Sequence, residues 1–428
     1  MVLVKFARAG EALKQILLRF VLPVALFFCI YLAGRRGIAD RFFQQDSPVS
    51  IETAIKWDSD NPQYYDALGT LTHFYGITGK LDESVQLYGS ATRLSPYDAH
   101  YWSDLGAAYD WAGRTDDALR AFQRAVQLFP NSPEINWRFA NFAVRAHKLP
   151  EALGSLKTVL AGNSPAHRDV FRIAARAAPD DRAILAILPP QASVFFDFLN
   201  FEMDAGNSVA AEQAWLRLLE LKLPFDVREA FPFLDALIKH REPHRLVEAW
   251  ARLAERFPAQ IGPPVASSDL VTNGSFERDI LNGGLDWRVV PVENVVVSLD
   301  SQDAFEGSRA LRIEFNGKTN LDYGHVFQYV AVQPNTRYRF SAAIRTKGIT
   351  TDSGPRFQVF DAFSLGKLLQ STVNIVGTSG WSSQILDFKT NSDTRLLIIR
   401  VARPPSAKLD NQIGGSVSID KVSLTPED

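Results

Sequence analysis

Proline recurs in this chain at intervals of thirty-four residues, at Pro62, Pro96 and Pro130. A fixed interval of this size is typical of a fold built by stacking similar units, so it constrains the structure more than any single motif does. Each proline closes a unit because its ring cannot continue the hydrogen-bond ladder of a helix. Pro165 follows one residue late, and the interval fades after it.

The unit that begins at Ala99 indicates two short antiparallel helices. Gly106 on the first helix and Ala118 on the second are small enough for the helices to approach closely, and Phe122 fills the gap to the next hairpin. One hairpin cannot bury its apolar face alone, so several must stack. The neighbouring units carry similar residues at corresponding positions: Leu68, Leu71, Tyr75, Ser84, Tyr88 and Ala91 before it, and Phe139, Ala140, Ala143, Ala152, Leu156 and Val159 after it.

This pattern resembles the tetratricopeptide repeat. It predicts an all-α solenoid over residues 50–258, with about five or six hairpins, some of them degenerate. The resemblance implies a groove that binds a protein or peptide partner, and the alternative is a rigid spacer that holds another module away from a membrane. The groove contacts are expected on first helices of the hairpins, at Asn136, Arg138 and Asn141.

The period of the apolar pattern changes after the proline-rich stretch "FPAQIGPPVASSD", which we interpret as a linker over residues 259–267. Beyond it, apolar and polar residues alternate, as in "ALRIEF" and "TRYRFSAAIRT". This alternation is typical of half-buried strands, and roughly nine such segments separated by turn signals predict an all-β sandwich over residues 268–428.

The order of motifs in this second part resembles the jelly-roll carbohydrate-binding modules attached to many bacterial polysaccharidases. "LVTNGSFE" opens the segment, "LDWRV" follows, and "VSIDKVSL" closes it. The same sandwich serves many purposes, so the resemblance supports the fold more strongly than a sugar ligand. It also implies a structural calcium ion held by Glu277 and Asp420, for which ordinary surface acids are the alternative interpretation.

A glycan-binding face is predicted on the segment "HVFQYVAV". If Gln328 and Val330 face the core, then the aromatic side chains between them face away. Aromatic rings pack against the C–H groups of a pyranose, and arginines on the neighbouring strand would bond its hydroxyls. The alternative is that a loop or the solenoid covers these rings. The predicted glycan-binding residues are His325, Phe327, Tyr329, Arg339 and Arg345, whereas Trp287 and Trp381 are expected to be structural.

The N-terminal residues 1–40 are predicted to anchor the chain in a membrane. Residues 20–33 carry no charge, and Lys5, Arg8 and Lys14 precede them. We expect an uncleaved single-pass helix in a bacterial inner membrane, with a cleaved signal peptide as the alternative. Most of the chain is expected on the periplasmic side, because a glycan-binding module is useful only where glycans are found.

Composition and motifs exclude several classes of function. The net charge of −2 over 428 residues gives no basic field for nucleic acid, and the single cysteine, Cys29, excludes an intrachain disulfide. No phosphate-binding loop, dinucleotide fingerprint or nucleophile elbow is present, so the chain is not expected to be an enzyme. The two resemblances together imply a multidomain scaffold that acts in surface polysaccharide synthesis, export or attachment. The alternative is a protein-interaction scaffold whose sandwich has no sugar ligand.

Overall fold

A computed structural model of the chain describes residues 17–75, 81–162, 167–178, 180–263, 269–366 and 368–427. Two compact units meet at the Pro189–Pro190 bond. The predicted linker belongs to the second of these units, and its residues 264–267 lie outside the described residues, as do Lys5, Arg8 and Lys14.

The first unit is helical throughout its described residues. A π-helical turn, Leu17–Val21, leads directly into α1. The helices are α1 Leu22–Phe43, α2 Pro48–Trp57, α3 Pro62–Tyr75, α4 Leu81–Leu94, α5 Ala99–Trp111, α6 Thr115–Leu128, α7 Pro133–Arg145, α8 Leu149–Ala161, α9 His167–Ala177 and α10 Asp181–Ile187.

Local sequence sets where these helices begin. Ser47 and Ser50 form a reciprocal capping box at the start of α2, and the side chain of Asp98 accepts a bond from the His100 amide at the start of α5. Ser132 caps α7, whose first residue is a proline. Such caps satisfy amide groups that have no partner within the helix. Pro62 opens α3, whereas Pro96 and Pro130 each follow the end of a helix by two residues.

A glycine and an aromatic ring are in close contact within the α5–α6 hairpin, and the same ring fills the gap to the next hairpin, as predicted. A Cβ atom added at Gly106 would lie 2.9 Å from the ring of Phe122. That ring packs against Phe139 and Phe142 of the next hairpin, with centroid separations of 5.8 Å and 5.1 Å. The apolar interior from α3 to α8 is consequently a series of small clusters, each of which joins neighbouring helices.

The second unit begins with helices that continue the repeat. They are α11 Ala192–Asp204, α12 Ser208–Glu220, a 3-10 turn Val227–Ala230, α13 Phe231–Lys239, α14 Pro243–Arg256 and α15 Pro258–Ile261. Arg245 on α14 is paired with Glu212 on α12, thirty-three residues earlier, at 2.9 Å. Arg138 on α7 is likewise paired with Asp104 on α5, thirty-four residues earlier, at 2.5 Å. Each unit therefore carries an ion pair between helices two apart in the chain, and the extension of the solenoid to residue 258 stays a prediction.

Two antiparallel five-stranded sheets follow these helices. Sheet A has the order β1-β4-β9-β6-β7, and sheet B has the order β2-β3-β10-β5-β8. The strands are β1 Arg288–Val289, β2 Val295–Asp300, β3 Ala310–Asn316, β4 Tyr323–Ala331, β5 Arg337–Ile349, β6 Arg356–Asp361, β7 Leu369–Ser371, β8 Gly377–Lys389, β9 Leu396–Arg403 and β10 Gly414–Glu427.

One contiguous apolar core fills the space between the two sheets. The predicted inward residues are buried: Leu311, Ile313, Phe315, Tyr338, Phe340, Ala342 and Ile344. Strands that follow each other in the chain frequently belong to opposite sheets, so β4 lies in sheet A and β5 in sheet B. This arrangement confirms the predicted sandwich.

The opening and closing segments of the sandwich are bonded to each other. The Leu270 amide donates to the Leu424 carbonyl at 2.9 Å, and the Val422 amide donates to the Gly274 carbonyl at 2.8 Å. The approach requires glycine, because a Cβ atom at Gly274 would lie 1.9 Å from the Val422 carbonyl oxygen. "LVTNGSFE" and "VSIDKVSL" are therefore structural partners.

Candidate functional site

The outer face of sheet A carries a row of polar and aromatic side chains that crosses all five strands. Strand register places Arg288, Phe327, Arg400, Gln358 and Ser371 side by side, one residue from each strand. Arg400 donates two hydrogen bonds to the side-chain oxygen of Gln358, at 2.9 Å and 2.7 Å. The row therefore presents planar hydrogen-bonding groups beside an aromatic ring.

A second row lies beside the first. Tyr329 packs edge-on against Phe327 with a centroid separation of 5.7 Å, and the Arg288 guanidinium lies 5.2 Å from the centre of the Tyr329 ring. Across the sheet, the Arg400 guanidinium lies 4.9 Å from the ring of Phe360. Phe327 and Tyr329 are half-buried. We call the residues Arg288, Phe327, Tyr329, Gln358, Phe360 and Arg400 the sheet A platform.

The last helices of the solenoid pack close to this platform. Asp235 on α13 pairs with Arg288 at 2.5 Å, and the Arg241 guanidinium after α13 lies 5.2 Å from the ring of Phe363. The chain before β1 fits tightly under these helices, since a Cβ atom at Gly284 would lie 2.3 Å from Trp250. The solenoid helices therefore reach the platform at Arg288, whereas Phe327 and Tyr329 are half-buried and keep some exposed surface.

The predicted arginines do not join this platform. Arg339 and Arg345 lie on β5 in sheet B, so they project from the opposite side of the sandwich, which corrects the prediction that they neighbour the aromatic pair. Both arginines already have carboxylate partners. Arg339 pairs with Asp387 at 2.8 Å and with Glu427 at 3.1 Å, and Arg345 pairs with Asp303.

The remaining residues of the predicted glycan face occupy distinct positions. His325 is half-buried on β4, and its ring lies 5.3 Å from that of Tyr323. Trp287 is fully buried and donates to the Asn273 carbonyl at 3.2 Å, in keeping with a structural role. Trp381 lies on β8 in sheet B, half-buried, with the ring of Phe305 at 5.7 Å.

Sequence reasoning missed four members of the platform, namely Arg288, Gln358, Phe360 and Arg400, although a signal was present for three of them. Gln358 interrupts the apolar strand "RFQVF", and Arg400 interrupts "RLLIIRVA", both at outward-facing positions. Arg288 directly follows the buried tryptophan of "LDWRV". What the sequence could not supply was the pairing of β4 with β9 and of β9 with β6.

The carboxylates predicted to bind calcium hold a loop instead. Glu277 accepts bonds from the Ser308 amide at 2.7 Å and from the Ser308 hydroxyl at 2.5 Å, and these bonds lower the pKa of Glu277. Asp420 accepts from the amides of Phe305 and Glu306 at 2.9 Å and 3.0 Å. Calcium requires several unshared oxygens, and these oxygens already face N–H and O–H donors. The pair therefore does not fit a calcium ion, and no group of three or more His, Cys, Asp or Glu side chains suited to a metal occurs in the described part of the chain.

The first helices of the solenoid hairpins share a charged and aromatic face. Asp104 on α5 pairs with Arg138 on α7 at 2.5 Å, and Asp110 on α5 pairs with Arg145 on α7 at 2.6 Å. Trp111 projects from the end of α5, and 67% of its surface is exposed. We call this surface the first-helix face.

The three residues predicted to contact a partner have different surroundings. Arg138 belongs to the first-helix face. Asn141 is half-buried, and its amide donates to the Trp137 carbonyl of the same helix at 2.8 Å. Asn136 is only 2% exposed, and it donates to the carbonyls of Pro130 and Ser132. Its role is to hold the turn before α7, which corrects the prediction that it contacts a partner.

A buried carboxyl lies beside the first-helix face. Burial and, second to it, the neighbouring carboxylate of Asp104 raise the pKa of Asp66 on α3 to about 7. One side-chain oxygen of Asp66 is buried and has no hydrogen-bond partner within the described residues. Two carboxyl groups that share a poorly solvated site do not readily ionise together.

The N-terminal helix is long and apolar enough to cross a membrane. The candidate span runs from Arg19 to Phe43, with a mean hydropathy of 1.5 over its most apolar window, and that window has no buried residues. A signal sequence would have the same properties.

Comparison with known proteins supports the repeat. Residues 99–132 match the family model described as Tetratricopeptide repeat, which confirms the prediction for the unit that begins at Ala99. A peroxisomal targeting signal receptor of Saccharomyces cerevisiae is 31% identical over 110 residues, or 26% of this chain, and this chain covers only 18% of the receptor.

Solved structures are similar to each of the two architectures. The TPR protein YrrB, whose title describes an unusual peptide-binding site, covers 50% of this chain and 94% of its own, with 14% identity and a TM-score of 0.25. A Family 16 Carbohydrate Binding Module-2 covers 36% of this chain and 99% of its own, with 19% identity and a TM-score of 0.27. The family match and the chain's own helices and sheets define a helical solenoid that contains a tetratricopeptide repeat, followed by a β-sandwich.

Proposed function

We propose that this chain is a non-catalytic, membrane-anchored scaffold whose solenoid binds a protein partner and whose sandwich binds a glycan. The sheet A platform carries the proposal, because it places two aromatic rings beside the planar groups of Arg400 and Gln358 on a half-exposed face. Stacking surfaces with a few fixed polar groups are the usual composition of a sugar site.

The cellular role proposed is surface polysaccharide synthesis, export or attachment at a bacterial inner membrane. The apolar helix α1 would anchor the chain, and the two compact units would lie in the periplasm, where a glycan ligand is available. The first-helix face would bind the protein partner, with the exposed ring of Trp111 beside paired charges as its contact surface.

A second candidate is a scaffold whose sandwich has no sugar ligand. The contact between Asp235 and Arg288 favours it, because part of the platform then serves to join the sandwich to the solenoid helices.

Glycan binding by the full-length protein in nanodiscs separates these candidates. We expect Phe327→Ala and Tyr329→Ala each to weaken binding to an array of bacterial polysaccharides about tenfold, since loss of an aromatic contact costs about 1 kcal/mol or more. Trp381→Ala is the matched control, because it removes a half-buried ring from the opposite sheet. Unchanged binding in both platform variants would exclude the platform, and a loss confined to Trp381→Ala would move the site to sheet B. If the wild-type protein binds no glycan, the second candidate is favoured.

A further inference from the structure

The apolar helix α1 is also the first helix of the solenoid. From Phe20 to Leu32 its apolar side chains are exposed, yet Ala39, only two turns further on, is fully buried against Ile51 and Ala54 of α2. The side chain of Asp40 accepts a bond from the Tyr64 hydroxyl on α3. The outward apolar surface and the packed surface therefore belong to one unbroken helix, with no linker between them.

Polar contacts mark the change from one surface to the other. Arg35 donates two bonds from its guanidinium to the Trp57 carbonyl at the end of α2, at 2.9 Å and 2.6 Å. The Arg35 guanidinium also lies 5.9 Å from the centre of the Tyr31 ring, and Arg36 lies 3.7 Å from Asp58. Tyrosine and tryptophan are enriched where the hydrocarbon of a bilayer meets the headgroups, and arginine side chains there reach toward the headgroups.

Helix length places this boundary close to a bilayer surface. The candidate span begins at Arg19, and the seventeen residues from Arg19 to Arg35 extend about 25 Å at 1.5 Å per residue. The hydrocarbon core of a bilayer is about 30 Å thick. Arg35 thus reaches the headgroup layer at the C-terminal end of the span, and its bonds hold the end of α2 at the same level.

We infer that Trp57 and the C-terminal end of α2 are seated in the lipid headgroup layer, so that the first hairpin of the solenoid docks on the bilayer that α1 crosses. The inference rests on the membrane anchoring proposed above. The ligand is the phospholipid headgroup region, with the indole of Trp57 in the interface and Arg36 facing the phosphates. The solenoid consequently leaves the membrane at a fixed angle.

The alternating direction of the helices provides a control. Helices α1, α3 and α5 run the same way, so the end of α5 lies at the edge of the solenoid remote from the membrane. Trp111 is located there and is more exposed than Trp57, at 67% against 39%. If exposure alone decided contact with lipid, Trp111 would contact it more than Trp57 does. Docking predicts the opposite order.

Fluorescence quenching tests the inference. The full-length protein is reconstituted in phosphatidylcholine–phosphatidylglycerol vesicles whose acyl chains are brominated close to the headgroup. We expect Trp57→Phe to remove most of the bromine-dependent quenching and Trp111→Phe to leave it unchanged. Quenching that survives in Trp57→Phe, or that is lost in Trp111→Phe, overturns the inference.

Flotation of the same vesicles keeps the two proposals separate. If the protein does not float with the vesicles, both the anchor and the docking fail. If it floats but Trp57 is not quenched, only the docking fails.

Spin labels give an independent readout. In a Cys29→Ser background, a label at Lys56→Cys should be protected by lipid from an aqueous relaxation agent. A label at Gln45→Cys, at the far end of the same hairpin, should not be protected. Equal accessibility at the two positions contradicts docking.

Discussion

The solenoid and the sandwich bury their apolar residues in different ways. In the solenoid, clusters such as Phe122 with Phe139 and Phe142 connect a hairpin only to its neighbours. In the sandwich, one continuous cluster runs from Val271 to Leu424 and includes residues from both sheets. The solenoid is therefore a chain of local contacts, whereas the sandwich depends on contacts between distant parts of the sequence.

The largest expected effect comes from removing a large ring from each core. Trp287→Ala and Phe122→Ala should each cost about 3–5 kcal/mol, because both residues are almost completely buried. Hydrogen exchange should rise throughout both sheets in Trp287→Ala. In Phe122→Ala the rise should be confined to α5–α8. Loss of protection that extends equally to α1 and α2 would show that the first unit is a single cooperative core.

A smaller effect is expected from two glycines in solenoid helices. Gly106→Ala should destabilise the α5–α6 hairpin by about 1–3 kcal/mol, since its methyl group would overlap the Phe122 ring at 2.9 Å. Gly154→Ala on α8 is the matched control, because an added Cβ meets nothing within 4 Å. It should stabilise its helix by about 0.5–1 kcal/mol. Helical circular dichroism during urea unfolding measures both, and a stabilised Gly106→Ala variant would contradict the proposed packing.

The smallest effect is a pH dependence confined to the solenoid. The pKa of Asp66 rises from 3.8 to about 7 on folding, so the folded chain keeps a proton that the unfolded chain has already released. The contribution of Asp66 to the free energy of unfolding is therefore fully present at low pH, and it declines as the pH rises from about 4 to 7.

Asp66→Asn removes this titration. We expect the variant to be more stable than the wild type at pH 8, by about 1 kcal/mol after allowance for solvent screening, and to show little difference at pH 4. Hydrogen exchange of α3–α5 at the two pH values measures the change. An equal effect at both pH values would show that Asp66 is ionised throughout this range.

The same contrast explains how much could be predicted from the sequence. Phe122 was correctly predicted to fill the gap to the next hairpin, because neighbouring hairpins follow each other in the sequence and the spacing along the chain determines their contacts. In the sandwich, alternation correctly placed Gln328 and Val330 inward, since each strand's pleat is also local. The existence and type of both scaffolds were therefore predictable.

The site was less predictable because it depends on which strands are neighbours. Arg339 follows Tyr329 closely in sequence, but the chain crosses from sheet A to sheet B between them. Arg400 lies far away in sequence and still stands directly beside Phe327. The prediction that Asn136 contacts a partner was wrong for a related reason. The residue does lie on a first helix, but its side-chain amide donates a hydrogen bond to the preceding turn.

The bonded ends of the sandwich have a consequence for how such a chain is assembled. Since the strand that closes the module returns to the segment that opens it, the module needs only one point of attachment to the rest of the polypeptide. A cassette of this form can be exchanged, or moved into a surface loop of another host protein, without rerouting the backbone of either. Engineered transplantation of the module should therefore be simplest with the junctions placed just outside Asp269 and Glu427, which keeps β10 whole.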